Sequence, residues 1–130
     1  EKNQQLFHRF FEIKRKKLGL KQMRRFDLYA PLQKKEEQKL SYDNAVKLVL
    51  DTFKDFSPEF HQEALTIINK KQVHSCLQKN KSTGAFCCSV TAQLNPYVLL
   101  NYAGTLRDVS TLAHELGHGI HHNLARNQIV

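Results

Sequence analysis

Apolar residues recur at helical spacing in four stretches of the chain, and two short stretches between them have the look of strands. Leu6, Phe7, Phe10, Phe11, Ile13 and Leu18 form one stripe opposite Lys14-Arg15-Lys16-Lys17, which predicts a helix over 3–18 that stops at Gly19. Residues 20–40 read as irregular, with Pro31 as a breaker and a polar run from Gln33 to Lys39. Ser41 is placed to cap a second helix, with Asp43 in its first turn and Val46, Val49, Leu50 and Phe53 on its buried face. Ser57-Pro58-Glu59 reads as cap, first-position proline and acidic first turn of a third helix, whose inner side is Phe60, Ala64, Ile67 and Ile68.

The pattern changes from Val73. A turn signal at Lys81-Ser82-Thr83-Gly84 leads into Ala85–Thr91, and Pro96–Tyr102 is aromatic and β-branched. Two short strands joined through Gln93-Leu94-Asn95 are predicted. Thr105-Leu106-Arg107-Asp108 then resembles a capping box with Asp in place of the usual Glu. The helix it opens, over 105–127, turns Val109, Leu112, Ala113, Leu116 and Ile120 inward. The expected fold class is mainly α, with a small β-sheet or hairpin beside this last helix.

A hydrophobic content of 41% over 130 residues suits a folded chain, and no stretch approaches the 18 apolar residues of a membrane span. The formal charge of +8 is uneven: residues 1–40 hold 12 Lys/Arg against 5 Asp/Glu, and residues 41–130 hold 8 against 7. The bland reading is a solvated basic helix face. A nucleic-acid partner is not expected, because nothing in the segment resembles a base-reading module. The three cysteines, Cys76, Cys87 and Cys88, make a poor disulfide framework. They point to a reducing compartment, the cytoplasm, with Cys87 and Cys88 as a small, mostly buried pair.

Chemistry concentrates in His114-Glu115-Leu116-Gly117-His118. Residues four apart on a helix lie about 6 Å apart along its axis and nearly on one face, so His114 and His118 can both reach one zinc ion. Glu115, rotated roughly 100° from His114, can lean toward a metal-activated water and serve as general base. The alternative is a pair of hydrogen-bonded structural histidines.

A catalytic zinc needs a third protein ligand. His121 lies on the same stripe, but about 10 Å along the axis from His114, so a supporting or packing role suits it better. His122 is expected to be exposed. Leu124 stands where an extended three-histidine motif needs its third ligand, and no Glu follows Glu115. Two histidines with a carboxylate suit zinc best, although manganese or cobalt often substitutes.

The run from Asn101 to His121 resembles the core of the oligoendopeptidase F family, relatives of thimet oligopeptidase. Phe26–Leu32, Ser82–Cys87 and Pro96–Asn101 look like further blocks of that family, in the right order. The resemblance implies a mostly helical zinc metallopeptidase of several hundred residues, with a deep channel that admits short peptides. It implies His114 and His118 as metal ligands, Glu115 as the general base, and a third ligand, a Glu, on a later helix. The strand around Gly84, Ala85 and Phe86 would line the channel and pair with an extended substrate. The segment from Tyr97 to Asn101 would be its sheet neighbour.

On this reading the chain is an internal fragment of a single peptidase catalytic domain, ending just after the zinc-binding helix. Residues 1–72 would be mostly helical, 73–104 short strands and 105–127 the zinc helix. The competing expectation is a truncated, non-catalytic remnant that binds peptides or a partner. A basic nucleic-acid module resting on residues 1–40 is a third.

Overall fold

A computed structural model describes residues 3–30, 32, 39–126 and 128. The expected breaker at Pro31, most of the polar run from Gln33, and residue 127 at the anticipated helix end lie outside the described residues. The chain divides into two compact units, Glu1–Glu36 and Glu37–Val130.

In the first unit, helix α1 spans Gln4–Lys17. It ends at Gly19 as expected, in a Schellman arrangement: the Gly19 amide donates to Lys16 O and the Leu20 amide to Arg15 O. The apolar stripe is largely exposed, since Leu6, Phe7, Phe10 and Ile13 each keep about half or more of their surface in solvent. Arg25–Tyr29 forms a short 3₁₀ helix where irregular chain was expected. Asp27 organises that turn by accepting a hydrogen bond from the Arg24 amide at 2.8 Å, a local side-chain bond that hydrophobic periodicity does not register.

The second unit contains α2 (Tyr42–Phe56), α3 (Pro58–Asn69), β1 (Val73–His74), β2 (Phe86–Cys88), β3 (Tyr97–Leu99) and α4 (Leu106–Ala125). Each of its three helices begins at the cap that the sequence predicts. Ser41 Oγ accepts from the Asn44 amide at 3.3 Å, and Ser57 Oγ from the Phe60 amide at 3.4 Å. Thr105 and Asp108 form a reciprocal capping box at α4. The expected fold class holds: the unit is mainly helical, with a small sheet beside α4. No helix among the described residues is long and apolar enough to cross a membrane.

Strand order is β1-β3-β2, so β2 is an edge strand. β2 runs antiparallel to β3, with Phe86 opposite Leu99, Cys87 opposite Val98 and Cys88 opposite Tyr97. β1 pairs parallel to β3 and was not foreseen, because two residues cannot display a period. Alternation along β2 turns Cys87 partly inward and Cys88 to solvent, which corrects the expectation of two mostly buried thiols.

The core of this unit is Ala45, Val49, Ala64, Ile67, Val98, Leu100, Val109, Leu112, Leu116 and Ile120. It lies where α4 meets α3, α2 and the sheet. The α4 residues expected to face inward are buried there, with Ala113 half-buried at the margin. The closest approach is at Gly119: a Cβ at this position would lie 2.8 Å from Ile67 Cδ1 and 3.5 Å from Pro96 Cγ. Gly117, one residue past the motif glutamate's neighbour Leu116, has open space instead.

In the complete protein, Gly119→Ala should therefore destabilise by about 1–3 kcal/mol through overpacking. Gly117→Ala should be neutral or stabilising by up to about 1 kcal/mol, from helix propensity alone. Paired urea unfolding curves check both, and equal midpoints for the two variants would contradict this seating of α4.

Candidate active site

Four buried residues, Val109, Leu112, Leu116 and Ile120, set the rotation of α4. Helical geometry then leaves His114 and His118 on the open face. Their Nε2 atoms lie 3.1 Å apart, and the rings meet edge to face with centroids 4.7 Å apart. Between them in sequence, Glu115 is only 7% exposed. It nevertheless lines two clefts that meet at its side chain.

The first cleft, about 550 Å³, is bounded by Gly84 and Ala85 on one side and by Arg107, Ser110, Thr111, His114 and Glu115 on the other. The second, about 510 Å³, lies between Ala85, Phe86, Cys87 and Ser89 and the α4 residues Glu115, His118, His121, His122 and Ala125. Ala85 and Glu115 belong to both. The structure thus brings Gly84, Ala85 and Phe86 alongside His114, Glu115 and His118, in a groove between the outer edge of β2 and the open face of α4.

The entry to β2 is held by polar ties. Gly84 takes the left-handed conformation, with φ +86°, and turns the chain into the strand. Asn101 Nδ2 donates to Ser82 O at 2.9 Å and to Gly84 O at 3.1 Å. Lys81 Nζ donates to the carbonyls of His74, Cys76 and Leu100 at 3.1, 2.8 and 2.8 Å. Asn101, Lys81 and Arg107 were not among the site residues singled out from the sequence. Asn101 and Lys81 act on carbonyls that only the folded chain brings close, and Arg107 was read as part of a cap.

His121 is exposed and lines only the second cleft. His122 is half-buried rather than exposed, with Nε2 2.9 Å from Leu94 O. Arg126 donates to the same carbonyl at 3.2 Å and to Asn95 Oδ1 at 2.8 Å, and both contacts pin the turn before β3 to the end of α4. The half-buried Cys87 thiol is pushed up by burial, which disfavours the thiolate in the groove wall.

The spacing of the histidine pair is compatible with a shared zinc ion, and equally with a hydrogen bond between the two rings. Two imidazole nitrogens on a tetrahedral zinc, each about 2.0–2.1 Å from the metal, sit roughly 3.3 Å apart, close to the 3.1 Å seen here. Among the described residues, no third His, Cys, Asp or Glu joins them to complete a metal-binding group.

The unit is mainly helical and carries a His-Glu-x-x-His helix beside the end strand of a small sheet. Residues 1–130 match the sequence profile of Peptidase family M3 from end to end, and the chain belongs to that family. It is 30% identical over 121 residues to the chromosomal oligoendopeptidase F of Lactococcus lactis subsp. cremoris, covering 93% of this chain and 20% of the relative. It is 29% identical over 116 residues to the oligopeptidase PepF of Bacillus subtilis (strain 168), covering 89% of this chain and 17% of that protein. A crystal structure from Chlamydophila abortus, solved as a candidate peptidase, superposes with a TM-score of 0.72 at 35% identity. That match covers 99% of this chain and 21% of the other. A Bacillus anthracis str. Ames structure, solved as a candidate oligoendopeptidase F, shares the fold at TM-score 0.75 and 20% identity, over 89% of this chain and 22% of that one. The chain thus spans about a fifth of the length of the relatives it matches.

At the head of α4, burial works against the Asp108 carboxylate. Hydrogen bonds from the Thr105 and Ala103 amides, with the Thr105 side chain, outweigh it and hold the group below its ordinary 3.8. A carboxylate with a depressed folded-state pKa contributes stability that is present above pH 4 and lost as pH falls through the folded value. Wild-type protein should therefore lose stability on acidification below about pH 4 more steeply than Asp108→Asn. Unfolding free energies measured from pH 7 to pH 3 test this, and parallel curves would refute it.

Proposed function

We propose that the complete protein is a zinc-dependent endopeptidase that hydrolyses short oligopeptides, with these 130 residues forming part of a single peptidase catalytic domain. The observation that carries this reading is the pair of imidazoles 3.1 Å apart, flanking a buried Glu115 and facing the free edge of β2. Family membership supports the peptidase class.

His114 and His118 would hold the zinc through Nε2. When bound, zinc supplies Lewis acidity that lowers the pKa of water and polarises a peptide carbonyl. Glu115 takes the proton from the attacking water and passes it to the departing amine. The side chain is largely buried but opens onto both clefts, where an attacking water can reach it. The groove confines the substrate to an extended strand, and the outer edge of β2 around Gly84, Ala85 and Phe86 pairs with its backbone. An extended strand in the groove is a conformation that flexible peptides reach more readily than folded proteins. His121, on the wall of the second cleft, packs against substrate or supports the ligands. The third ligand is assigned to a residue outside this chain, in keeping with the share of its relatives that the chain spans. The three free cysteines suit a reducing compartment, and we place the protein in the cytoplasm. No nucleic-acid or membrane partner is proposed.

Glu115→Gln in the complete protein should keep its zinc while kcat falls by about 10²–10⁴-fold. His114→Ala should lose both. Metal content by mass spectrometry, alongside cleavage of a quenched fluorescent peptide, provides the check. Normal turnover by Glu115→Gln would remove the assigned role, and zinc-free, inactive wild-type protein would favour a non-catalytic remnant.

A further inference from the structure

The groove has a direction. Its first cleft sets Gly84 and Ala85 against Arg107–Glu115, and its second sets Ala85–Ser89 against Glu115–Ala125. Strand and helix therefore number upward together along it, with Ala85 and Glu115 at the middle. A peptide added to the edge of β2 in the commoner antiparallel sense lies with its C-terminal part at the Gly84 end. There the cleft carries Arg107.

Arg107 occupies the second position of α4. A cation in the first turn of a helix opposes the helix dipole, so the side chain does not serve the helix. Its guanidinium has no ion pair or hydrogen-bond partner among the described residues. The neighbouring carboxylate is committed elsewhere: Asp108 Oδ2 accepts from the Ala103 and Thr105 amides at 3.0 and 2.9 Å. What remains at the first cleft is an always-protonated fork of donors, unpaired among the described residues and suited to a carboxylate.

We propose that Arg107 determines specificity by pairing with a carboxylate of the bound peptide, on the C-terminal side of the scissile bond. The inference rests on the peptidase reading. Arg107 precedes His114 by seven residues, about 10 Å along the axis, which is about three residues of an extended peptide. The carboxylate is either the peptide's own C-terminus at that distance or an Asp or Glu side chain there.

The test uses peptides of one sequence in four forms. The third residue after the scissile bond is either Glu or Gln within a longer peptide, or is the last residue as free acid or amide. For the complete protein, the ratio of kcat/KM between charged and neutral partners is measured, together with Kd on the non-turnover Glu115→Gln background. At least one charged form should be preferred about fivefold, the worth of a solvent-accessible ion pair. The pair that shows the preference identifies the source. Arg107→Met should bring the ratio to about one, Arg107→Glu should invert it, and Arg107→Lys should retain part of it. Retained zinc in each variant shows that it is folded.

Cleavage with the same ratio in wild type and Arg107→Met would overturn the inference and leave the peptidase reading intact. A charge preference in binding, lost in Arg107→Met but without cleavage by the parent, would overturn the peptidase reading and leave the recognition of a carboxylate standing. Neither cleavage nor preference would overturn both.

Discussion

The contact between Ile67 and the bare backbone at Gly119 governs how α4 sits. A methyl group there would lie 2.8 Å from Ile67 Cδ1, so any side chain at this position would have to push the buried Ile67 aside. Leu112, Leu116 and Ile120 are fully buried on the same side. That packing fixes the rotation of the helix about its axis, because interiors tolerate little change in shape. With the rotation fixed, the 3.6-residue repeat decides the rest: His114 and His118 stand outward, and Glu115 turns toward the wall. A shift of one residue would bury a histidine and expose a leucine.

The opposite wall of the groove is made differently. Strands of two and three residues cannot hold their own register, since each contributes only a few ladder bonds. Long-range polar ties hold this sheet in place. Lys81 gathers three carbonyls at one end, and Asn101 grips the turn into β2. His122 and Arg126 hold the turn that leads to β3. None of these ties pairs with the ladder positions of β2, which stays the end strand of the sheet beside α4. Rigid support behind an unpaired edge is what strand addition by a ligand requires.

Charge is distributed to match. Most of the chain's positive excess lies in its first 40 residues, and the second unit is nearly balanced. Within the groove, Asp108 is consumed by the cap of α4 and Glu115 is buried. Arg107 is thus the exposed charge beside the first cleft. A charge that is unpaired among the described residues gives selectivity by position, where a broad basic field would attract anions without discrimination.

Local physics was legible in the sequence by itself. The caps at Ser41, Ser57 and Thr105, the stop at Gly19 and the four helices follow from side-chain hydrogen bonds and periodicities that span only a few residues. The histidine spacing likewise determined that His114 and His118 share a helix face. Tertiary structure decided what depends on residues far apart in the chain. It added β1, whose partner lies 25 residues away, and it turned Cys88 outward and drew His122 against Leu94. It also placed Gly84, Ala85 and Phe86 opposite the motif helix and set Arg107, without a side-chain partner among the described residues, beside the cleft. The physical reason is range. Capping and helical phase are settled within one or two turns, whereas pairing, burial and cleft geometry arise only when distant segments compete for the same space.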